Sequence, residues 1–299
     1  MDRIYCYGMI SPSTVLVLAD GFPYPRANTY AEIGGTLPSV GGEAANSAII
    51  LAKLGVRAVL DGTWVSRRNE AKIRGLLEPF GIDLSLLHIA DEGGTEEYVI
   101  ADGISRTVFG NYASFHSGKR QWNLPSEDAV KKSSAVALDP YFKTESALAA
   151  ELCVRHRVPY VTLDSRHEDY VARNAAAVII SHELTDQAYP GADMKEVYRR
   201  YLDACSGLVI FTFGEKELWY GRKGGETRTY TPYQIEPVDT TGAGDSFRGA
   251  VAYGLSKGWD DGRIVDFASA VAAQVCLTLP HALNAPGLDA IESFIRERR

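Results

Sequence analysis

What the chain has little of narrows its class before any motif is read. It carries 4 cysteines in 299 residues: Cys6, Cys153, Cys205 and Cys276. They are widely separated, and none forms a C-x-x-C pair. Such spacing builds neither a disulfide framework nor a zinc site, so four reduced, buried thiols in a cytoplasmic protein are expected. Positive charge is also scarce: Lys+Arg total 31 against 38 Asp+Glu, a formal net charge of −7. Binding a phosphate backbone calls for a cationic surplus, so no nucleic-acid partner is expected. No apolar run approaches the roughly 18 residues that cross a bilayer, so no membrane partner is expected either. The opening Met1-Asp2-Arg3-Ile4 lacks the basic and apolar regions of a secretory signal, in keeping with a cytoplasmic location. The P-loop pattern is missing, which excludes that class of kinase.

What is present is an ordinary globular composition, 45% hydrophobic and 23% charged, with strand-like and helix-like stretches in alternation. Apolar runs at Ile4–Tyr7, Val56–Leu60, Ala135–Leu138, Tyr160–Leu163, Ala177–Ile180 and Leu208–Phe213 suit strands covered on both faces. Helical patterns lie at Glu43–Leu54, Glu70–Phe80, Ser146–His156, Met194–Cys205, Ser246–Lys257 and Ile264–Leu277. This alternation predicts an α/β fold, a mostly parallel central sheet flanked by helices, in a single domain over residues 1–299. Two segments break the pattern. Val15–Ser39 holds strand-like pieces among three prolines. Gly94–Ala113 reads as a hairpin, Glu97–Ala101 and Ser105–Asn111 joined by an Asp102-Gly103 turn. Together, about 15–39 and 94–113, they predict a small β-sheet lid. Its free strand edges suggest a homodimer formed through the lid. The aromatic stretch Phe22–Tyr30 is expected to pack in that lid or wall the substrate.

Two segments carry chemistry. In the first, Gly41-Gly42 precedes a helix whose early residues are small and whose Asn46 can both donate and accept hydrogen bonds. In the second, Asp239-Thr240-Thr241-Gly242-Ala243-Gly244-Asp245 opens another helix. Small residues at 242–244 leave backbone N–H groups free at a helix N-terminus, which is a site for an anion. An aspartate beside such a site is what phosphoryl transfer to an alcohol needs. The amides stabilise an anionic transition state while the carboxylate accepts the alcohol proton late.

Together these segments resemble the ribokinase-like (phosphofructokinase B-type) carbohydrate kinases, in the expected order and about 200 residues apart. The resemblance implies transfer of the γ-phosphoryl group of ATP, with Mg2+, to a hydroxyl of a small sugar or nucleoside. It makes Asp245 the general base and the Gly242, Ala243 and Gly244 backbone the anion hole. Gly41, Gly42, Asn46, Ser13 and the hairpin's Arg106 would contact substrate or lid. Thr212 and Gly214, in Phe211-Thr212-Phe213-Gly214, would approach the nucleotide together with Ser181. Residues around Ala268–Leu283 would form part of the adenine pocket. Asp164-Ser165-Arg166 resembles a segment that brings a basic residue to the phosphates. Asp239 and Thr241 are the candidates for holding a monovalent cation such as K+.

Departures from the family pattern shape the rest. Its usual Asn-x-Asp after the first strand is replaced by Gly8-Met9-Ile10-Ser11-Pro12-Ser13, so serines stand where an acid would hold sugar hydroxyls. At Ile180-Ser181-His182-Glu183-Leu184 the Asn of the family's magnesium motif is missing, which leaves Glu183 as the candidate metal residue. Glu43 stands where several members carry lysine, and an acid there disfavours a phosphorylated acceptor. The expected acceptor is a neutral monosaccharide such as ribose or a ketohexose. A nucleoside kinase is the runner-up, because an aromatic lid can stack on a base. A weakly active or inactive sugar- or nucleotide-binding sensor is the reading from another class. Gly254-Leu255-Ser256-Lys257-Gly258 matches a serine-hydrolase pattern, but a helix precedes the serine where a strand is required.

Overall fold

Apolar strands that alternate with helices bury both faces of one sheet. In the computed structural model, which describes residues 2–102 and 106–298, eight strands form it in the order Arg228–Tyr230, Lys216–Gly221, Leu208–Phe213, Ala177–Ile180, Tyr160–Leu163, Ala135–Leu138, Arg3–Gly8, Arg57–Gly62. The six from Leu208–Phe213 to Arg57–Gly62 are parallel, and the other two add an antiparallel edge. Side chains alternate along Arg3–Gly8, as strand geometry requires. Ile4 and Cys6 enter one core layer, under the helices Glu43–Lys53, Ala243–Ser256 and Asp261–Cys276. Tyr5 and Tyr7 enter the other, under Thr144–His156 and Met194–Ala204. The expected α/β fold with a mostly parallel sheet is observed.

Element limits differ from the sequence expectation for local reasons. The helix expected at Ser246–Lys257 begins three residues sooner, spanning Ala243–Ser256, because Gly242 caps it in the left-handed conformation, φ 69°. The helix from Glu70 ends at Leu77 and tightens into a 3-10 turn at Glu78–Phe80, where Pro79 supplies no N–H. All four cysteines are buried and free. Burial pushes the thiols up, to about 12 for Cys6 and Cys153. Among the described residues no helix is long and apolar enough to cross a membrane.

The off-pattern segments form a separate four-stranded sheet, ordered Ile33–Gly41, Ser11–Leu18, Glu97–Ala101, Arg106–Gly110. Its central pair is parallel and its outer pairs antiparallel. The strands run further than 15–39, to Ser11 at one end and Gly41 at the other. Of the expected Asp102-Gly103 turn, Gly103 lies outside the described residues. The stretch Phe22–Tyr30, expected to pack in the lid or wall the substrate, lies outside the strands of the small sheet. Phe22 and Tyr30 are 37% and 74% exposed, with ring centroids 6.2 Å apart. Pro23 and Pro25 cannot donate to a ladder, so the chain leaves the sheet there. It is tied back where Tyr24 N–H donates to Asp102 at 3.1 Å.

Candidate active site

Parallel strands deliver whatever follows them to one edge of the sheet, and ligands of such sheets bind beyond those carboxyl ends. Here Met9, Thr63, Asp139, Asp164, Ser181 and Gly214 each follow a parallel strand at or next to its last residue. The helices Glu43–Lys53 and Ala243–Ser256 pack together across this edge. They bring Asn46 and Asp245, distant in sequence, within a hydrogen bond: Asn46 Nδ2 donates to Asp245 Oδ2 at 2.9 Å. Asn46 is 3% exposed, and its Oδ1 has no partner among the described residues.

Asp245 stands in the first turn behind the left-handed Gly242. A Cβ on Gly242 would lie 2.7 Å from His281 Cδ2 and 3.2 Å from Asn46 Nδ2, so both conformation and crowding call for glycine. Of the three amides expected to form the anion hole, Ala243 N–H turns back on Thr240 O at 3.3 Å. Among the described residues nothing accepts from Gly242 or Gly244 N–H. The loop ahead is closed by Asp239, whose Oδ1 accepts Thr241 N–H at 2.8 Å and the Thr241 hydroxyl at 2.6 Å. Its other oxygen faces His281 Nδ1 at 3.8 Å. His281 is buried with neither ring nitrogen hydrogen-bonded, and burial lowers its pKa. Arg106, expected at the hairpin, donates from Nη1 to Thr240 Oγ1 at 2.5 Å, joining the small sheet to this loop.

Beneath Asp245 lies an ion pair that sequence reasoning missed. Arg248, one helical turn on, is fully buried and pairs with the equally buried Asp139. Asp139 also accepts Met9 N–H at 2.6 Å. Arg248 Nε and Nη2 donate to Ser47 Oγ at 3.1 and 3.0 Å, and Ser47 donates in turn to Asp245 O at 3.0 Å. One hydroxyl thus ties the two helices and Arg248 together with all its capacity used. Burial pushes the Asp139 carboxyl up, with Arg248 pulling against it. A charge directly after the buried run Ala135–Leu138, and another on an otherwise apolar helix face, were the signals available.

The Gly41-Gly42 pair is crowded by the protein itself. A Cβ on Gly41 would meet Glu97 Oε1 at 2.1 Å, and one on Gly42 would meet Met9 O at 2.4 Å. The glycines therefore leave room for the protein's own Glu97 and Met9. Ser13 is buried in the small sheet, level with Ser39 on one neighbouring strand and with Glu97 on the other. Glu97 is itself buried, and the Tyr112 hydroxyl donates to its Oε2. Glu43, at the start of the Asn46 helix, has its carboxyl pushed well up, first by burial, then by the charges of Asp139 and Asp245.

On the other side stands Asp164, at the end of Tyr160–Leu163. Its two oxygens accept Ser181 N–H at 2.8 Å and Ser181 Oγ at 2.9 Å. Burial raises its pKa, with Glu183 and Asp245 contributing in the same direction. Arg166 is exposed. Ser181 caps the helix His182–Ala188, and Glu183 lies exposed beside His182, 3.2 Å away. Thr212 Oγ1 reaches Ile180 O at 3.4 Å, and Gly214 turns left-handed, φ 65°. Among the described residues no three carboxylate, histidine or cysteine side chains gather to hold a metal alone. Two open cavities of about 540 and 480 Å³, both bordered by Asp266, share none of these residues. In the hydrolase-like pattern, the Ser256 hydroxyl donates to Tyr253 O at 2.7 Å at the end of its helix.

Residues 3–280 match the model of the pfkB family carbohydrate kinases. A 5-dehydro-2-deoxygluconokinase of Clostridium perfringens is 22% identical over 290 residues, 87% of this chain and 85% of that protein. A nucleoside kinase of Methanothermobacter thermautotrophicus is 27% identical over 278 residues, 86% of this chain and 84% of that one. The structure of an Arabidopsis thaliana ribokinase complexed with ribose and ATP is similar with a TM-score of 0.81 at 15% identity, covering 99% of this chain and 98% of that one.

Proposed function

Because the chain belongs to the pfkB family of carbohydrate kinases, we propose that it transfers the γ-phosphoryl group of ATP to a hydroxyl of a small sugar, with Asp245 as the base. The observation that carries this reading is the Asp245 carboxylate, held by Asn46 Nδ2 beside the open amides of Gly242 and Gly244. The sugar hydroxyl lies against Asp245, which takes its proton as the oxygen bonds to phosphorus. The amides at the helix start stabilise the charge that develops on the migrating group. Sugar contacts come from Asn46 and the Ser13 row of the small sheet. The nucleotide lies along Ser181, Thr212 and Gly214.

Mg2+ needs only one or two protein carboxylates when phosphates and waters complete its shell. Asp164 with Glu183 fits that demand, and the bound ion would neutralise charge on the ATP phosphates. A monovalent cation such as K+ would take the Asp239 and Thr241 loop, where Asp239 Oδ1 accepts from Thr241 and Oδ2 accepts no hydrogen bond among the described residues. Four buried free thiols suit a cytoplasmic location. Exposed Ile33, Tyr98, Val108 and Phe109 on the small sheet are the ground for a homodimer through the lid, tested by sedimentation.

The decisive experiment is a coupled assay for ADP formation with ribose, fructose, glucose, adenosine and inosine, run on wild type and Asp245→Asn. Turnover with a sugar is expected. The variant should lose about 10²–10⁴-fold in kcat, the usual worth of a general base, while ATP binding by calorimetry survives. Near-normal turnover by the variant refutes the base assignment. Nucleotide binding without turnover of any acceptor supports the sensor reading instead.

A further inference from the structure

A buried carboxylate is stable only if hydrogen bonds or a counter-ion meet it. Glu97 is 7% exposed, yet among the described residues no cation pairs with it. The nearby Lys72 amine is directed to Thr14 Oγ1 at 2.8 Å. Arg106 serves Thr240, and Arg248 serves Asp139. Among the described residues, the side chain donating to Glu97 is the Tyr112 phenol, on Oε2. Its Oε1 lies against the α-carbon of Gly41, two residues before Glu43 and five before Asn46, which holds Asp245.

A second, independent feature marks the same surface as unfinished. Ser39, Ser13 and Glu97 are level on three adjacent strands, so their side chains share one face of the small sheet. Ser39 is 1% exposed, and its hydroxyl has no partner among the described residues. Asn46 Oδ1, on the wall behind Gly41, is likewise buried and unpaired. Unpaired buried polar atoms are rare in native folds and call for a ligand or ordered water. Hydroxyl donors are what Ser39 Oγ and Asn46 Oδ1 lack among the described residues, and what a carboxylate such as Glu97 accepts. A carboxylate or phosphate in the same place would face the charges of Glu97 and Asp245, while the Lys72 amine and the Arg106 guanidinium are directed to Thr14 and Thr240.

Resting on the kinase reading above, we infer that Glu97, set by Tyr112, is a specificity-determining residue that admits uncharged, hydroxyl-rich acceptors and rejects sugar acids and sugar phosphates. It restores an acid where the serines at 11 and 13 lack one, displaced by one strand across the sheet. Glu43, two residues after Gly41 and with a carboxyl that responds to the charges of Asp139 and Asp245, adds negative charge in the same direction.

The test compares kcat/KM for ribose, fructose and glucose with that for gluconate, glucuronate and ribose 5-phosphate, in wild type, Glu97→Gln and Tyr112→Phe. Wild type is expected to favour the best neutral sugar at least 100-fold over every anion. Glu97→Gln should narrow that ratio at least tenfold, chiefly by raising kcat/KM for an anionic acceptor. Tyr112→Phe, which keeps the charge, should lower kcat/KM for the neutral sugar and leave anions excluded. The wild-type ratio carries the test even if Glu97→Gln does not fold. Turnover of an anion within tenfold of the best neutral sugar overturns the inference and leaves the kinase reading intact. An unchanged ratio in a folded Glu97→Gln protein assigns the selectivity elsewhere and also overturns it. Absence of turnover with every acceptor overturns the kinase reading and this inference with it.

Discussion

Replacing Arg248 by methionine tests whether the buried ion pair holds the two site helices in place. The substitution keeps an unbranched side chain and removes one charge, leaving Asp139 at 0% exposure with Met9 N–H as its remaining donor. Removing one partner of a buried pair costs about 3–5 kcal/mol. An unfolding entropy of about 2.1 cal/mol/K per residue gives about 0.6 kcal/mol/K for this chain, so Tm should fall by about 5–8 °C. The deficit depends on pH with a definite sign. Burial already pushes the Asp139 carboxyl up, and the opposing pull of Arg248 is now gone. An acid whose folded pKa exceeds its unfolded value loses stabilisation as pH rises through the folded value. The Tm gap between Arg248→Met and wild type should therefore widen from pH 5 to pH 8. Adding Asp139→Asn keeps an acceptor for Met9 N–H and removes the orphan charge, so the double variant should recover part of the loss and flatten its pH dependence. Scanning calorimetry of the four proteins at both pH values gives the coupling energy. A Tm change under 1 °C in Arg248→Met, or strict additivity in the double variant, would refute the account.

Three shorter predictions test other parts of the site. Glu43 has its carboxyl held well up by burial and by Asp139 and Asp245, so wild type should lose stability relative to Glu43→Gln as pH rises above the ordinary carboxylate range; equal melting differences at pH 5 and pH 8 would count against this. Gly242→Ala forces a left-handed residue, φ 69°, to carry a Cβ 2.7 Å from His281, at a cost of about 1–2 kcal/mol; Tm should drop by a few degrees and turnover should fall, and an unchanged protein would show that the loop relaxes freely. With all four thiols buried and pushed up, a colorimetric thiol reagent should find them slow in the native protein and count four on denaturation. Fast native labelling would contradict the packing.

Much of the fold was legible because apolar runs such as Ala135–Leu138 and Tyr160–Leu163 can only be strands buried on both faces, and their alternation with helices limits the topology. The Asp239–Asp245 run was legible too, since a glycine-bounded turn before a helix leaves amides open wherever it occurs. These are local properties, fixed by a few consecutive residues. The partners of that run were not local. Nothing near Glu97 in the chain announces that it lies on Gly41, 56 residues away, and nothing near Arg248 announces Asp139, 109 residues away. That a Cβ on Gly41 would meet Glu97, and one on Gly42 Met9, could not be read from the glycines themselves. The aromatic segment at 22–30 looked like lid packing, and its prolines turn it to solvent. Backbone conformation answers to neighbouring residues. Burial, pairing of charges and the contents of a cleft depend on which strands and helices meet, and that was decided only when the sheet assembled.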